Sequence, residues 1–221
     1  TMNRHQDELN LYAVNPRSTT AQLLIKEKAD CYIQEQAMAD IIIGRSTILL
    51  PSDRDCYMQI YLYNQNGTMI RKIGDGKHDI TSIYGYNEEN GDVYYQAAAL
   101  NPHDRQVFVS HKNGKVERLT DQEGWNSAIF SGDYQFFINT WSSYNTPYTF
   151  TLRSQKGKVL SVLLDNSKLK DKMAEYGWSK REPFTFTTSE GISLDGWMLK
   201  PNNFDPSHKY PVILFQYSGP G

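Results

Sequence analysis

The chain is 221 residues long with a formal net charge of −2 and a pI near 6.2, so it offers no basic face of the kind that neutralises nucleic-acid phosphates. Apolar residues make up 39% and aromatics 13%, the latter led by 15 Tyr, which is enough for one or two packed cores. No apolar run approaches the roughly 18 residues of a membrane helix, and Thr1-Met2 does not open a signal peptide. Cys31 and Cys56 are too few for a disulfide framework and too far apart for a metal knuckle, and they read as two buried thiols. No cofactor or metal is expected.

In order, the chain is a run of short strands and turns with almost no helical periodicity before residue 166. Leu9 to Val14 alternates, Asn15-Pro16-Arg17-Ser18 turns it, and Ala21 to Ile25 returns. Ile41 to Leu50 and Met58 to Tyr63 pair about the polar Ser52-Asp53-Arg54-Asp55, and the hairpin signal Asn66-Gly67 leads into Thr68 to Ile73. A second module begins at Asp79 to Tyr86, turns at Asn90-Gly91 and returns through Asp92 to Ala99. Gln106 to Ser110, the turn Asn113-Gly114 and Val116 to Leu119 complete it. A third holds Trp125 to Phe130, Tyr134 to Thr140, Tyr148 to Arg153 and Val159 to Leu164. Three modules of about four strands, each roughly 40 to 50 residues long, have the spacing of propeller blades. A sandwich or barrel has the same strand count, and the period favours the propeller.

Asn166 to Tyr176 is the one convincing helix, with Asn166 or Ser167 able to cap it and Gly177 to end it. It marks a boundary, so the expected organisation is propeller blades over 1–165, a linker helix over 166–181 and the start of a second domain over 182–221. There Phe184 to Thr188 and Ser193 to Leu199 form a hairpin around Ser189-Glu190-Gly191. Val212-Ile213-Leu214-Phe215, entered through Pro211 and left through Ser218-Gly219-Pro220-Gly221, reads as a strand buried on both faces, as in a parallel sheet. A parallel strand needs neighbours and crossover helices to cover it, and the expectation is of an α/β domain cut off after its opening strands.

The segment Glu182 to Gly221 resembles the start of the hydrolase domain in the prolyl oligopeptidase clan of serine peptidases, most closely the dipeptidyl peptidase IV subfamily. The pattern Phe-x-Phe-x-x-x-x-Gly-x-x-Leu-x-Gly-Trp-x-x-x-Pro runs from Phe184 to Pro201, and Tyr-x-Gly-Pro-Gly closes the chain at Tyr217 to Gly221. Thr140 to Pro147, His78 to Gly85 and Asn3-Arg4-His5-Gln6 are similar to blade motifs of the same subfamily. The resemblance implies a mostly β fragment: the last three or so blades of an eight-bladed propeller, then the opening strands of an α/β-hydrolase domain. It also implies a parent serine exopeptidase that releases N-terminal di- or tripeptides after proline, acts on peptides with proline near the N-terminus, and sits in the periplasm or is secreted.

That chemistry needs a serine nucleophile, a histidine base and an orienting aspartate. The nucleophile elbow Gly-x-Ser-x-Gly is absent from the sequence, and in the resembled family the triad follows the point where this chain ends, so the chain alone is expected to be inactive. His5, His78, His103, His111 and His208 read as surface or structural. By position, Tyr217 is the last aromatic of a strand; by the family motif, it is the tyrosine whose hydroxyl donates to the oxyanion. Glu88, Glu89 and Asp92 read as a solvated hairpin tip, Asp53-Arg54-Asp55 as a loop with local ion pairing, and Asn66-Gly67-Thr68 as a turn that is also formally a glycosylation sequon. A non-catalytic propeller-type binding module is the alternative function. Open sheet flanks favour self-association.

Overall fold

The computed structural model describes residues 1–34 and 38–216 and divides into two compact units, Thr1–Asn166 and Ser167–Gly221. In the first, β1 (Glu8–Val14) and β2 (Ala21–Lys28) form a two-stranded antiparallel sheet. Three four-stranded meanders follow. The first contains β3 (Ile42–Ile43), β4 (Thr47–Ser52), β5 (Gln59–Asn64) and β6 (Met69–Ile73); the second β7 (Ile80–Asn87), β8 (Asp92–Ala97), β9 (Gln106–Ser110) and β10 (Val116–Arg118). The third contains β11 (Trp125–Phe130), β12 (Phe136–Ser143), β13 (Thr146–Ser154) and β14 (Val159–Leu164). Successive strands are neighbours in every sheet, and no barrel closes among the described residues. The fold is mostly β, a partial propeller rather than a sandwich.

The first module differs from its sequence reading. Ile41 to Leu50 is not one strand: Gly44-Arg45-Ser46 turns it back, with the Gly44 amide donating to the Thr47 carbonyl at 2.8 Å. That turn makes the two-residue β3 the edge of a sheet of its own and leaves β1 and β2 as a separate pair. The Glu88 carboxylate from the β7–β8 tip accepts from the Arg45 and Ser46 amides, filling the space a Cβ at Gly44 would need. A residue read as part of a solvated tip is therefore a clasp between two sheets.

Strand period builds the core. Ile48 and Leu50 of β4 and Tyr61 and Tyr63 of β5 pack with Leu9 and Ile25 of the first sheet. The intervening Leu49, Ile60 and Leu62 face the other way and pack with Ile80, Val93, Tyr95 and Ala97 of the next. β8 divides likewise, because Tyr94 joins Val107, Val109, Ala128 and Phe137 against the third meander. There Tyr94 stacks on Tyr134 with ring centroids 4.8 Å apart, and Phe130 tilts against Tyr84, Tyr94 and Phe137. The Tyr134 hydroxyl occupies the place of a Cβ at Gly85, whose φ of 150° glycine tolerates.

Directional bonds run both between and within these layers. Fully buried Asn126 of β11 donates from Nδ2 to the Arg105 and Gln122 carbonyls at 3.0 and 2.9 Å, and its own carbonyl accepts from Gln96 Nε2 at 2.5 Å. Thr120 donates to Gln106 Oε1 at 2.7 Å, and Asn139 Nδ2 donates to Asn126 Oδ1 at 3.2 Å. Arg71 of β6 reaches Ser110 Oγ at 2.8 Å and the Gly91 carbonyl at 3.1 Å.

In the second unit, α1 (Ser167–Glu175) ends where Gly177 takes φ 63° and the Trp178 amide donates back to the Met173 carbonyl at 2.8 Å. The Asn166 side-chain Nδ2, just before it, donates to the Tyr148 carbonyl. β15 (Arg181–Thr187) and β16 (Ser193–Leu199) pair antiparallel from Arg181↔Leu199 to Thr187↔Ser193, closing at Thr188 to Ile192 as the sequence indicates. One face carries Phe184, Phe186, Leu194 and Met198, all exposed. No helix among the described residues is long and apolar enough to cross a membrane.

Burial raises Tyr84, Tyr94 and Tyr95 to about 12 each. A raised tyrosine contributes stability that is intact below its unfolded value of about 10 and is lost as pH rises through the folded one. Alkaline titration is therefore expected to unfold the protein between pH 10 and 12, with a share of the tyrosinate absorbance appearing only as near-ultraviolet circular dichroism disappears. Complete tyrosine ionisation with the dichroism intact would contradict the packing described.

Candidate functional site

Tyr217, the one residue to which the sequence assigns a catalytic role, lies outside the described residues. The run before it departs from expectation. Val212 to Phe215 are in no strand and are 86 to 94% exposed, not buried on both faces. A strand is held by ladder bonds to a neighbour, and no described residue pairs with this run. Cys31 and Cys56 are also exposed rather than buried: both lie outside the strands, and Cys56 sits in the β4–β5 loop with φ 80°. Among the described residues no group of three His, Cys, Asp or Glu is placed to hold a metal ion.

The most developed polar constellation gathers around Arg54, in the loop between β4 and β5. Strand β2 alternates near its end so that Ile25 and Glu27 both point inward, leaving the Glu27 carboxyl 4% exposed. Arg54 answers it, Nη2 to Oε2 at 2.6 Å, while Ser52 donates to the other carboxylate oxygen. Nη1 donates to the Tyr63 hydroxyl at 3.1 Å and Nε to Ser52 Oγ at 3.0 Å, and the guanidinium lies 4.1 Å from the Tyr61 ring centroid. Burial opposes the charge on Arg54, yet Glu27 and Tyr63 outweigh it and raise its pKa. Beyond it, Asp55 accepts from Lys72 at 2.5 Å and from the Tyr61 hydroxyl at 2.7 Å. Those two bonds, Lys72 first, hold the Asp55 carboxyl below the usual range.

Arg54 therefore does not pair with its sequence neighbours: its partner is 27 residues back, on another sheet. The sequence reading missed Glu27, and its signal was a charged residue at an inward position of an alternating strand. Chemically the cluster is a clamp. Both carboxylate oxygens of Glu27 and all three guanidinium nitrogens are engaged, which suits the cluster to holding two sheets together rather than to proton transfer.

The other sequence candidates are also held in place. Asp92 is buried, with Oδ2 3.0 Å from His111 Nδ1, and Glu117 stands 3.7 Å from His111 Nε2. His78 and His208 each pair with an aspartate three residues earlier, Asp75 and Asp205. Arg153, 3% exposed, meets Asp121 at 2.9 Å and holds its carboxyl below the usual range.

Replacing Arg54 by Met leaves Glu27 buried and unpaired, a change worth about 3 to 5 kcal/mol. Lys72→Met removes only a half-exposed partner of Asp55 and is expected to cost far less. Urea unfolding of the two variants beside the parent checks the order, and equal losses would contradict the clamp.

Comparison with known proteins bears on what this scaffold belongs to. The family described as "Dipeptidyl peptidase IV (DPP IV) N-terminal region" matches residues 1–148, two thirds of the 221-residue chain. A probable dipeptidyl peptidase 4 of Aspergillus flavus is 25% identical over 99% of this chain and 30% of its own length. The dipeptidyl peptidase 4 of Trichophyton rubrum is 25% identical over 99% of this chain and 29% of its length. The crystal structure of Porphyromonas gingivalis dipeptidyl peptidase 4 superposes with a TM-score of 0.90 and 32% identity, covering 95% of this chain and 30% of that one. The chain thus spans about 30% of the length of these relatives. With its stacked four-stranded meanders and a match over two thirds of its residues, the chain belongs to the family of the dipeptidyl peptidase IV N-terminal region.

Proposed function

We propose that the chain forms the closing blades of a propeller (1–165), a linker helix (166–181) and the opening of an α/β-hydrolase domain (182–221) within a periplasmic or secreted serine exopeptidase. That enzyme releases N-terminal di- or tripeptides after proline. The observation that carries the reading is the family match over residues 1–148, supported by the likeness to the Porphyromonas gingivalis enzyme across 95% of the chain. The motif from Phe184 to Pro201 and the ending Tyr-x-Gly-Pro-Gly extend it to the hydrolase segment.

In this reading the propeller segment holds and screens the peptide substrate, and Tyr217 supplies one hydrogen bond to the oxyanion of the tetrahedral intermediate. A donor already aimed at the developing charge is worth on the order of 3 kcal/mol of barrier. The triad comes from sequence beyond Gly221, and the 221-residue chain by itself is inactive.

The test compares this chain with a version extended past Gly221, following chromophore release from Gly-Pro and Ala-Ala-Pro anilides. Release by the extended protein alone is the expected result, and the preferred anilide distinguishes dipeptide from tripeptide release. In that extended protein Tyr217→Phe is expected to lower kcat by about 10²- to 10³-fold with little change in KM. Absence of release by both proteins would instead favour a non-catalytic binding module.

The same reading treats β14 as a surface that draws a second copy of the isolated chain. It is the edge of its sheet, and all six of its residues, Val-Leu-Ser-Val-Leu-Leu, are exposed. Light scattering is expected to give a mass above the 25.4 kDa of one chain, reduced by Val162→Lys. A clean monomer at high concentration would end this part of the proposal.

A further inference from the structure

Three hairpin tips carry the dipeptide Asn-Gly: Asn66-Gly67 between β5 and β6, Asn90-Gly91 between β7 and β8, and Asn113-Gly114 between β9 and β10. The local chemistry is nearly the same in all three. Each asparagine Oδ1 accepts from the amide two residues on, at 3.0 Å from Thr68, 2.9 Å from Asp92 and 3.0 Å from Lys115. Each glycine has a φ between 80 and 87° and donates its amide back across the turn, to Asn64, Asn87 and His111 in order. The accepted hydrogen bond polarises each side-chain carbonyl, and the following glycine has no side chain to hinder attack by its nitrogen on Cγ. What protects each site is the turn itself, because the glycine nitrogen reaches Cγ only when the tip opens.

The tips differ in what holds them shut. Gly67 is half-buried and seated against the Leu24 carbonyl of β2, where a Cβ would collide. Gly91 is buried against the Lys112 side chain at 3.1 Å, and its carbonyl is tied to Arg71. Gly114 is exposed, with nothing within 4 Å of a Cβ placed there. It also joins β9 to β10, an edge strand of three residues paired on one side only. Local opening costs least where few contacts must be broken.

We infer that Asn113 is a site of spontaneous deamidation, selected over Asn66 and Asn90 by the freedom of the β9–β10 tip. The Gly114 nitrogen gives up its proton to solvent base and bonds to Asn113 Cγ. The side-chain nitrogen leaves as ammonia, and a five-membered succinimide remains. Water then opens either ring carbonyl, giving aspartate or isoaspartate, so the net change is uptake of one water and loss of one ammonia. The product places a new carboxylate at the tip beside Lys115, whose Nζ already bridges to Glu117 at 2.6 Å.

The chain is aged in mildly alkaline buffer at body temperature, natively and in concentrated urea, and each Asn-Gly peptide is followed by mass spectrometry for the gain of one mass unit. In native buffer Asn113 is expected to convert about tenfold faster than Asn66 or Asn90, and in urea the three rates are expected to converge. Asn113→Gln should abolish the change in its own peptide and leave the other two rates unaltered. Conversion of Asn66 or Asn90 as fast as Asn113 in native buffer would overturn the inference. So would an Asn113 that stays intact natively while the urea sample is consumed.

Discussion

Everything in the first unit depends on sheets being stacked face to face, so that a middle sheet must satisfy a neighbour on each side. β4 and β5 show the demand most plainly: Ile48, Leu50, Tyr61 and Tyr63 fill one interlayer and Leu49, Ile60 and Leu62 the other. A slip of one residue in either strand would exchange the two sets. Because both faces are apolar, hydrophobicity alone would tolerate that slip. In β5 shape opposes it, since Tyr61 and Tyr63 face one neighbour and the branched aliphatics Ile60 and Leu62 the other. These strands are thus apolar without alternation, although their sheet is antiparallel. Their composition comes from the stacking of sheets rather than from strand direction.

Hydrophobic burial is non-directional, and something else must set how each sheet sits on the next. Polar groups at the layer boundaries have that capacity. Asn126 of the third meander binds the Arg105 and Gln122 carbonyls beside the second, while Arg54 joins the first sheet to the second through Glu27. A buried ion pair gains little net stability against apolar residues of the same shape. Its bonds are nonetheless satisfied in only one arrangement of the two sheets, so its value here is in orientation. The Glu88 carboxylate serves in the same way at the rim, where two backbone amides of a neighbouring turn would otherwise face only water.

Much of this architecture was legible from local chemistry. Asn-Gly pairs mark three hairpin tips because glycine takes positive φ there, and the β15–β16 hairpin follows from strands set either side of Ser189-Glu190-Gly191. The Gly44 turn was not legible, since Ile41-Ile42-Ile43 and Thr47 to Leu50 read together as one apolar run until Gly44 is bent around a carboxylate 44 residues away. Arg54 illustrates the same limit at the candidate site. Flanking aspartates make a plausible local pairing, but Asp53 is only partly buried and Asp55 exposed, and the buried Glu27 carboxylate on another sheet makes the stronger claim on a cation. Inward-facing charge on β2 was the available clue, and sequence separation hid its partner.

Composition does not decide burial, as β14 and β4 demonstrate. Val-Leu-Ser-Val-Leu-Leu is more apolar than Thr-Ile-Leu-Leu-Pro-Ser, yet every residue of the first is exposed and every residue of the second buried. The difference is the neighbour: β4 lies between two strands with a sheet on each face, while β14 has β13 on one side and an open edge on the other. Val212 to Phe215 extend the comparison, because the most exposed apolar run in the described chain is the one with no strand partner. An apolar run therefore states what surroundings a segment requires, and the cost of leaving it bare scales with the area exposed, about 25 cal/mol per Å². That cost favours covering these surfaces, and it places the forces of any further assembly at β14 and at Val212 to Phe215, away from the interlayers where the propeller sheets are already satisfied on both sides.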